Sequence, residues 1–118
     1  MKTKTYPESE LQKKVVAWFR KYYPKYLLFA ISNEASYKRA SHFRAMGMLP
    51  GVSDTIMVLP DKILFLEFKD IHGRQSDHQK QFQVKIELLG FEYHIIRDLQ
   101  DVKQILRNNL PISEWVDL

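Results

Sequence analysis

Apolar positions recur along this chain with two different periods, and the switches between them mark out the elements. Leu11, Val15, Trp18 and Tyr22 follow helical spacing, with Val16 and Phe19 beside them, which predicts a helix over 8–23. Ser9 with Gln12, and Thr5 with Glu8, have capping-box spacing at its start. Pro24 stops this helix, and Tyr26-Leu27-Leu28-Phe29-Ala30-Ile31 follows as a short apolar strand closed by Ser32-Asn33-Glu34. Helical character runs across 35–46, with Gly47 suited to a C-cap. Two apolar runs, 55–59 and 63–68, flank Pro60-Asp61 and predict a β-hairpin. Pro50-Gly51 ahead of it fits a type II turn, with glycine supplying positive φ. The run 63–68 is apolar on both faces, as a central strand would be. Ser76-Asp77-His78-Gln79 again has capping-box spacing and opens a helix to about residue 89, with Phe82, Ile86 and Leu89 on one face. Gly90 ends it, 91–96 alternates as a strand, and a last helix from about 98 to 109 carries Val102, Ile105 and Leu106 before Pro111.

The resulting order, α-β-(α)-β-β-α-β-α, predicts an α/β fold in which a mixed sheet is flanked by helices. The strand–helix–strand segment 63–96 should form a right-handed crossover between parallel strands, with the hairpin adding an antiparallel neighbour. At 118 residues the chain is read as one domain, 1–118, with a single core. No apolar run approaches the length of a membrane span, and the basic N-terminus lacks the apolar stretch of a secretory signal. There is no cysteine, which excludes disulfides, zinc–thiolate sites and a cysteine nucleophile, and suits a reducing compartment. A net charge of +4 permits a polyanionic partner without demanding one.

Register gives the hairpin its chemical interest. A loop of two or four residues pairs positions whose numbers sum to 121, so Asp54 lies opposite Glu67 with Cβ atoms about 5 Å apart. Alternation puts Lys69 on the same face. Two carboxylates so close repel, and Lys69 brings one positive charge against two negative ones. A divalent cation answers the imbalance, and oxygen-only ligation suits Mg²⁺ or Mn²⁺. A salt-bridged cluster at an exposed hairpin end is the other reading.

Three further groups are candidates. Glu10 falls near the start of the first helix, where an acid complements the dipole or reaches a cleft as a third carboxylate. Lys38, Arg39, His42 and Arg44 form the densest basic stretch near the hairpin, read either as phosphate contacts or as a solvated face. His42, His72, His78 and His94 match no zinc spacing, and His94 reads as a hydrogen-bonded strand residue. Trp18, Phe19, Tyr22 and Tyr23 read as core at helical spacing rather than as a base-stacking platform.

With these residues in view, the chain resembles the VRR-NUC family of the PD-(D/E)xK nuclease superfamily, and looks like its small stand-alone phage and bacterial members. The resemblance spans about residues 8 to 107 and rests on Gly51-Val52-Ser53-Asp54, Glu67-Phe68-Lys69 and Gly73-Arg74-Gln75-Ser76-Asp77-His78-Gln79. A D-x(n)-E-x-K pattern alone is weak; the surrounding motifs and the closing helix–strand–helix make it specific. Ser53 stands where proline is commoner, at a position that carries no ligand atom. The resemblance implies Asp54 and Glu67 as metal ligands, with the Phe68 carbonyl a third, and Lys69 as the catalytic lysine. It matches Glu10 to the family's helix-one acid and Gln79 to the glutamine after the catalytic strand, with capping as the other role for Gln79. Asn33 matches a polar residue after the first strand.

These roles imply a metal-dependent DNA endonuclease using Mg²⁺ or Mn²⁺. Asn33, Lys38, Arg39, Arg44 and Arg74 are its candidate nucleic-acid contacts. The resemblance also implies a homodimer acting on branched DNA such as four-way junctions, without a membrane, in the cytoplasm of a bacterial or phage-infected cell. A non-catalytic nucleic-acid-binding module on the same fold is the first rival, and a phosphohydrolase of small nucleotides the second.

Overall fold

A computed structural model describes residues 6–31 and 40–118. The elements are helix α1 (Tyr6–Tyr22), strand β1 (Leu27–Ala30), a short helix α2 (Ala40–Ala45), strands β2 (Thr55–Leu59) and β3 (Lys62–Phe68), helix α3 (Asp77–Leu88), strand β4 (Glu92–Ile96) and helix α4 (Leu99–Asn109). A 3₁₀ turn, Ile112–Glu114, follows. The four strands lie in the order β1-β2-β3-β4; the first three are antiparallel, and β3 and β4 are parallel. This is the mixed sheet with flanking helices that the sequence predicts.

Several boundaries move. The first helix begins at Tyr6, so Ser9 lies inside it and caps nothing, while Thr5 lies outside the described residues. Only Ala40–Ala45 of the predicted 35–46 helix falls among the described residues and is helical. Ser76 caps α3 as expected, its hydroxyl accepting from the Gln79 backbone while the Gln79 side chain accepts from the Ser76 N–H.

Alternation sorts the sheet's two faces. Met57, Leu59, Leu64, Leu66, Phe68 and Ile96 point to one side, where Val15, Trp18 and Phe19 of α1 and Val102, Ile105 and Leu106 of α4 complete the main core. On the opposite side Phe82 and Ile86 of α3 pack with Tyr93, Phe65, Val52 and Ile95. Trp18, Phe19 and Tyr23 are therefore core residues. The C-terminal segment straps onto this core: Trp18 Nε1 donates to Asp117 at 2.7 Å, and the Tyr23 hydroxyl donates to the Val116 carbonyl at 2.8 Å. No helix among the described residues is long and apolar enough to cross a membrane.

Candidate active site

The hairpin register is the predicted one. Thr55 pairs with Leu66, Ile56 with Phe65, and Leu59 with Lys62, each summing to 121. The turn is two residues long, and Asp61, its second central residue after Pro60, adopts the left-handed conformation (φ 56°) that a type II turn asks at that position. Continuing the ladder one step sets Asp54 against Glu67 on the face that α3 covers. Asp54 itself sits just before β2, where its Oδ2 accepts the Phe68 backbone N–H at 2.7 Å. The aspartate thus replaces a ladder acceptor at the point where the two strands part.

Glu67 is almost completely buried, with 1% of its surface exposed. A carboxylate taken this far from water needs charged or hydrogen-bonding company. Lys69 Nζ stands 3.7 Å from Glu67 Oε2, and Gln79 Nε2 donates to the same oxygen at 3.1 Å. Lys69 is itself buried, and its backbone N–H donates to the Ile96 carbonyl at 3.0 Å, which ties it to β4. Gln79 makes two contacts at once: its Oε1 completes the cap of α3 at 2.9 Å while its Nε2 donates to Glu67.

A turn on the other strand fixes that helix start. Val52 N–H donates to Leu49 O at 3.4 Å, closing the predicted type II turn, and Gly51 has φ +81°. A Cβ on Gly51 would lie 2.3 Å from His78 C and 2.7 Å from Gln79 N. Both are backbone atoms of the first turn of α3, so only glycine lets the Asp54 lead-in lie flush against it.

Behind the carboxylates lies Tyr93. Its phenol is pushed well above the usual range, first by burial and then by the fields of Glu67 and Asp54, against the hydrogen bond from Gln75 Nε2 at 3.3 Å. Gln75 also donates to Gln83 at 2.8 Å. Beyond Lys69, the loop at 70–75 is held by Arg97, whose Nη1 donates to Asp70 O at 2.6 Å and Gly73 O at 2.9 Å. Glu8 is the buried acid of α1 and lies against that loop; a Cβ on Gly73 would meet its Oε2 at 2.9 Å.

The structure therefore brings Asp54, Glu67, Phe68, Lys69 and Gln79 together. It places Glu10 on the solvent side of α1, paired with Lys13 at 3.4 Å, because residues two apart on a helix face nearly opposite ways. Arg44 and Arg74 are exposed, while Asn33, Lys38 and Arg39 lie outside the described residues. His72 and His78 are exposed, and His94 meets Glu92 at 2.9 Å. Among the described residues no three His, Cys, Asp or Glu side chains are grouped as a metal cage. Sequence reading missed Glu8, Tyr93 and Arg97. Burial distinguishes Glu8 from Glu10, and nothing local in sequence marks the other two.

A solved structure described as a "VRR_NUC domain protein" superimposes with a TM-score of 0.68 at 18% identity, covering 92% of this chain and 91% of that one. A second, described as "VRR_NUC domain", gives 0.65 at 19% identity over 90% of this chain and 100% of its own. The chain has the VRR-NUC fold. No protein-family model matches the sequence, and no curated protein does. At this identity the VRR-NUC likeness is one of architecture, and the chemistry has to be argued from the side chains.

Proposed function

We propose that the chain is a metal-dependent DNA endonuclease with its reaction centre at Asp54, Glu67 and Lys69. The observation that carries the reading is Glu67, a carboxylate buried on the same strand face as Lys69 and one ladder step from Asp54. A purely structural hairpin gains nothing from two acids and one lysine sunk at its open end.

The donor set fits a hard divalent cation such as Mg²⁺ or Mn²⁺: two carboxylates and a backbone oxygen. Within a strand the N–H and C=O of one residue point to the same neighbour. Since the Phe68 N–H points to Asp54, its carbonyl faces the same way and would serve as the third ligand beside Asp54 and Glu67. A bound cation would supply Lewis-acid polarisation of a phosphate oxygen and a more acidic water. The chain's own residues do the rest. Lys69 orients the attacking water and stabilises negative charge developing on the phosphate. Gln79 holds one oxygen of Glu67, so that the carboxylate keeps its orientation when the charges around it change. Glu8 and Arg97 set the loop that follows Lys69. Arg44 and Arg74, with Asn33, Lys38 and Arg39, bind the DNA backbone. Of the two acids on the first helix, Glu8 is the better placed to support the site, and Glu10 acts through solvent.

The finer reading is a homodimer that cuts branched DNA, two centres serving two strands. Cleavage of labelled linear duplex, flap, single-stranded and four-way-junction DNA tests it, with wild type and Lys69→Ala in Mg²⁺, Mn²⁺ or EDTA. Metal-dependent cutting by wild type alone, strongest on the junction, is expected. Binding without cutting in both proteins would favour a nucleic-acid-binding module.

A further inference from the structure

The loop that leaves Lys69 is irregular and tightly fastened. Asp70 O accepts the Gly73 N–H at 3.1 Å, which closes a turn with Ile71 and His72 at its two central positions. The Asp70 carboxylate accepts the His72 N–H at 2.9 Å and braces the turn from within. Arg97 grips the carbonyls of Asp70 and Gly73, the turn's two ends. Gly73 lies against Glu8 of α1, and Gln75 reaches both Gln83 of α3 and Tyr93 of β4. Contacts from three helices or strands thus hold the backbone on either side of residues 71 and 72.

The side chain that this turn holds outward is apolar. Ile71 keeps 79% of its surface in water. Turn centres ordinarily go to Gly, Pro, Asn, Asp or Ser, and a β-branched residue so exposed gains no burial from the fold that places it. A lone exposed apolar side chain is common and by itself means nothing; Ile112, 76% exposed on the 3₁₀ turn, is one. Ile71 differs in position and in company. Two residues of chain put its Cα within ~7 Å of the Lys69 Cα, about two base steps of duplex rise. His72 beside it and Arg74 beyond are exposed, and the cationic Arg74 suits a polyanion better than an apolar protein surface.

We propose that Ile71 is a wedge that enters the base stack of duplex DNA beside the phosphate at Lys69, at a step that opens easily. Insertion of this kind needs an apolar tip, a backbone that does not yield when pushed, and a cation to hold the neighbouring phosphates. Ile71, the turn clamped by Arg97, and Arg74 supply the three. Unstacking costs least where pairing is already imperfect. The wedge therefore gives a preference for mismatched or otherwise loosened steps without reading the identity of a base. This inference rests on the reading of the chain as a DNA enzyme, and adds to it a determinant of which DNA is chosen.

Binding tests the wedge separately from cutting. Two duplexes that differ by one central mismatch, each with 2-aminopurine beside that position, are titrated with protein in Ca²⁺ in place of Mg²⁺. The DNA is then run on a gel to score any cutting. Wild type should bind the mismatched duplex about tenfold tighter and raise its 2-aminopurine fluorescence. Ile71→Asn puts a residue that turns accept at an exposed position. It should keep its circular dichroism and its affinity for the matched duplex, and lose both the preference and the fluorescence rise. Ile71→Leu should retain both, and Ile112→Asn should behave as wild type. An Ile71→Asn protein that keeps the preference, an Ile112→Asn protein that loses it, or a wild type that binds both duplexes equally or neither would overturn the proposal. A wild type that shows the preference but cuts nothing in Mg²⁺ would keep the wedge and remove the nuclease. Cutting in Mg²⁺ by an Ile71→Asn protein that picks the mismatch as wild type does would do the reverse.

Discussion

In the proposed chemistry, Glu67 pits function against stability in a single side chain. Its carboxylate is buried on the face it shares with Asp54, with Lys69 Nζ 3.7 Å away. Glu67→Gln keeps the shape and removes a buried charge, so cleavage should vanish while the thermal midpoint rises by roughly 3–6 °C, about 1 kcal/mol. A fall in the midpoint would show that the charge is fully compensated in the fold. Lys69→Ala should abolish cutting and retain DNA binding in a gel-shift assay. Gln79→Ala removes a contact to Glu67 and a cap, so it should lower kcat and cost about 1 kcal/mol of stability, whereas Gln79→Glu should keep the cap and still lower kcat. Glu8→Gln should slow cleavage more than Glu10→Gln; equal effects would remove Glu8 from the site's support.

At the scale of elements, the site is an agreement between the hairpin and α3. Gly51→Ala would drive a Cβ into the His78 and Gln79 backbone at a positive φ. It should loosen the first turn of α3, seen as faster amide exchange at 78–80 with β3 still protected. Tyr93 links α3 to β4. Burial raises its pKa, so its contribution is fully present below the unfolded value near 10 and is eroded as pH climbs toward the folded one. The urea midpoint should therefore fall between pH 9.5 and about 11, and Tyr93→Phe should flatten that part of the profile. The same elements show what sequence makes legible. Hairpin register, the Ser76 cap and the order of elements along the chain follow from period, turn residues and spacing, and with them the pairing of Asp54 with Glu67. Glu8 was legible only as a capping-box partner of Thr5, because which side of α1 faces the loop depends on how the helix docks. Arg97 acts on carbonyls 24 and 27 residues away, a contact that leaves no local pattern.

For the whole molecule, the carboxylate pair depends on counting as much as on chemistry. Asp54 and Glu67 share a face because an odd number of residues separates each from its end of the two-residue turn, five in β2 and five in β3 by the observed register. Removing one residue from either strand would send its acid to the α1 side and part the pair. Removing two from each would carry the centre toward the turn as a unit, about 7 Å along the strands. Removing one from each would deliver both acids together into the main core. Length variation in such a hairpin is thus confined to matched even steps, and a gap of any other size in an aligned sequence would announce a chain that has abandoned this chemistry, whatever acids it still displays.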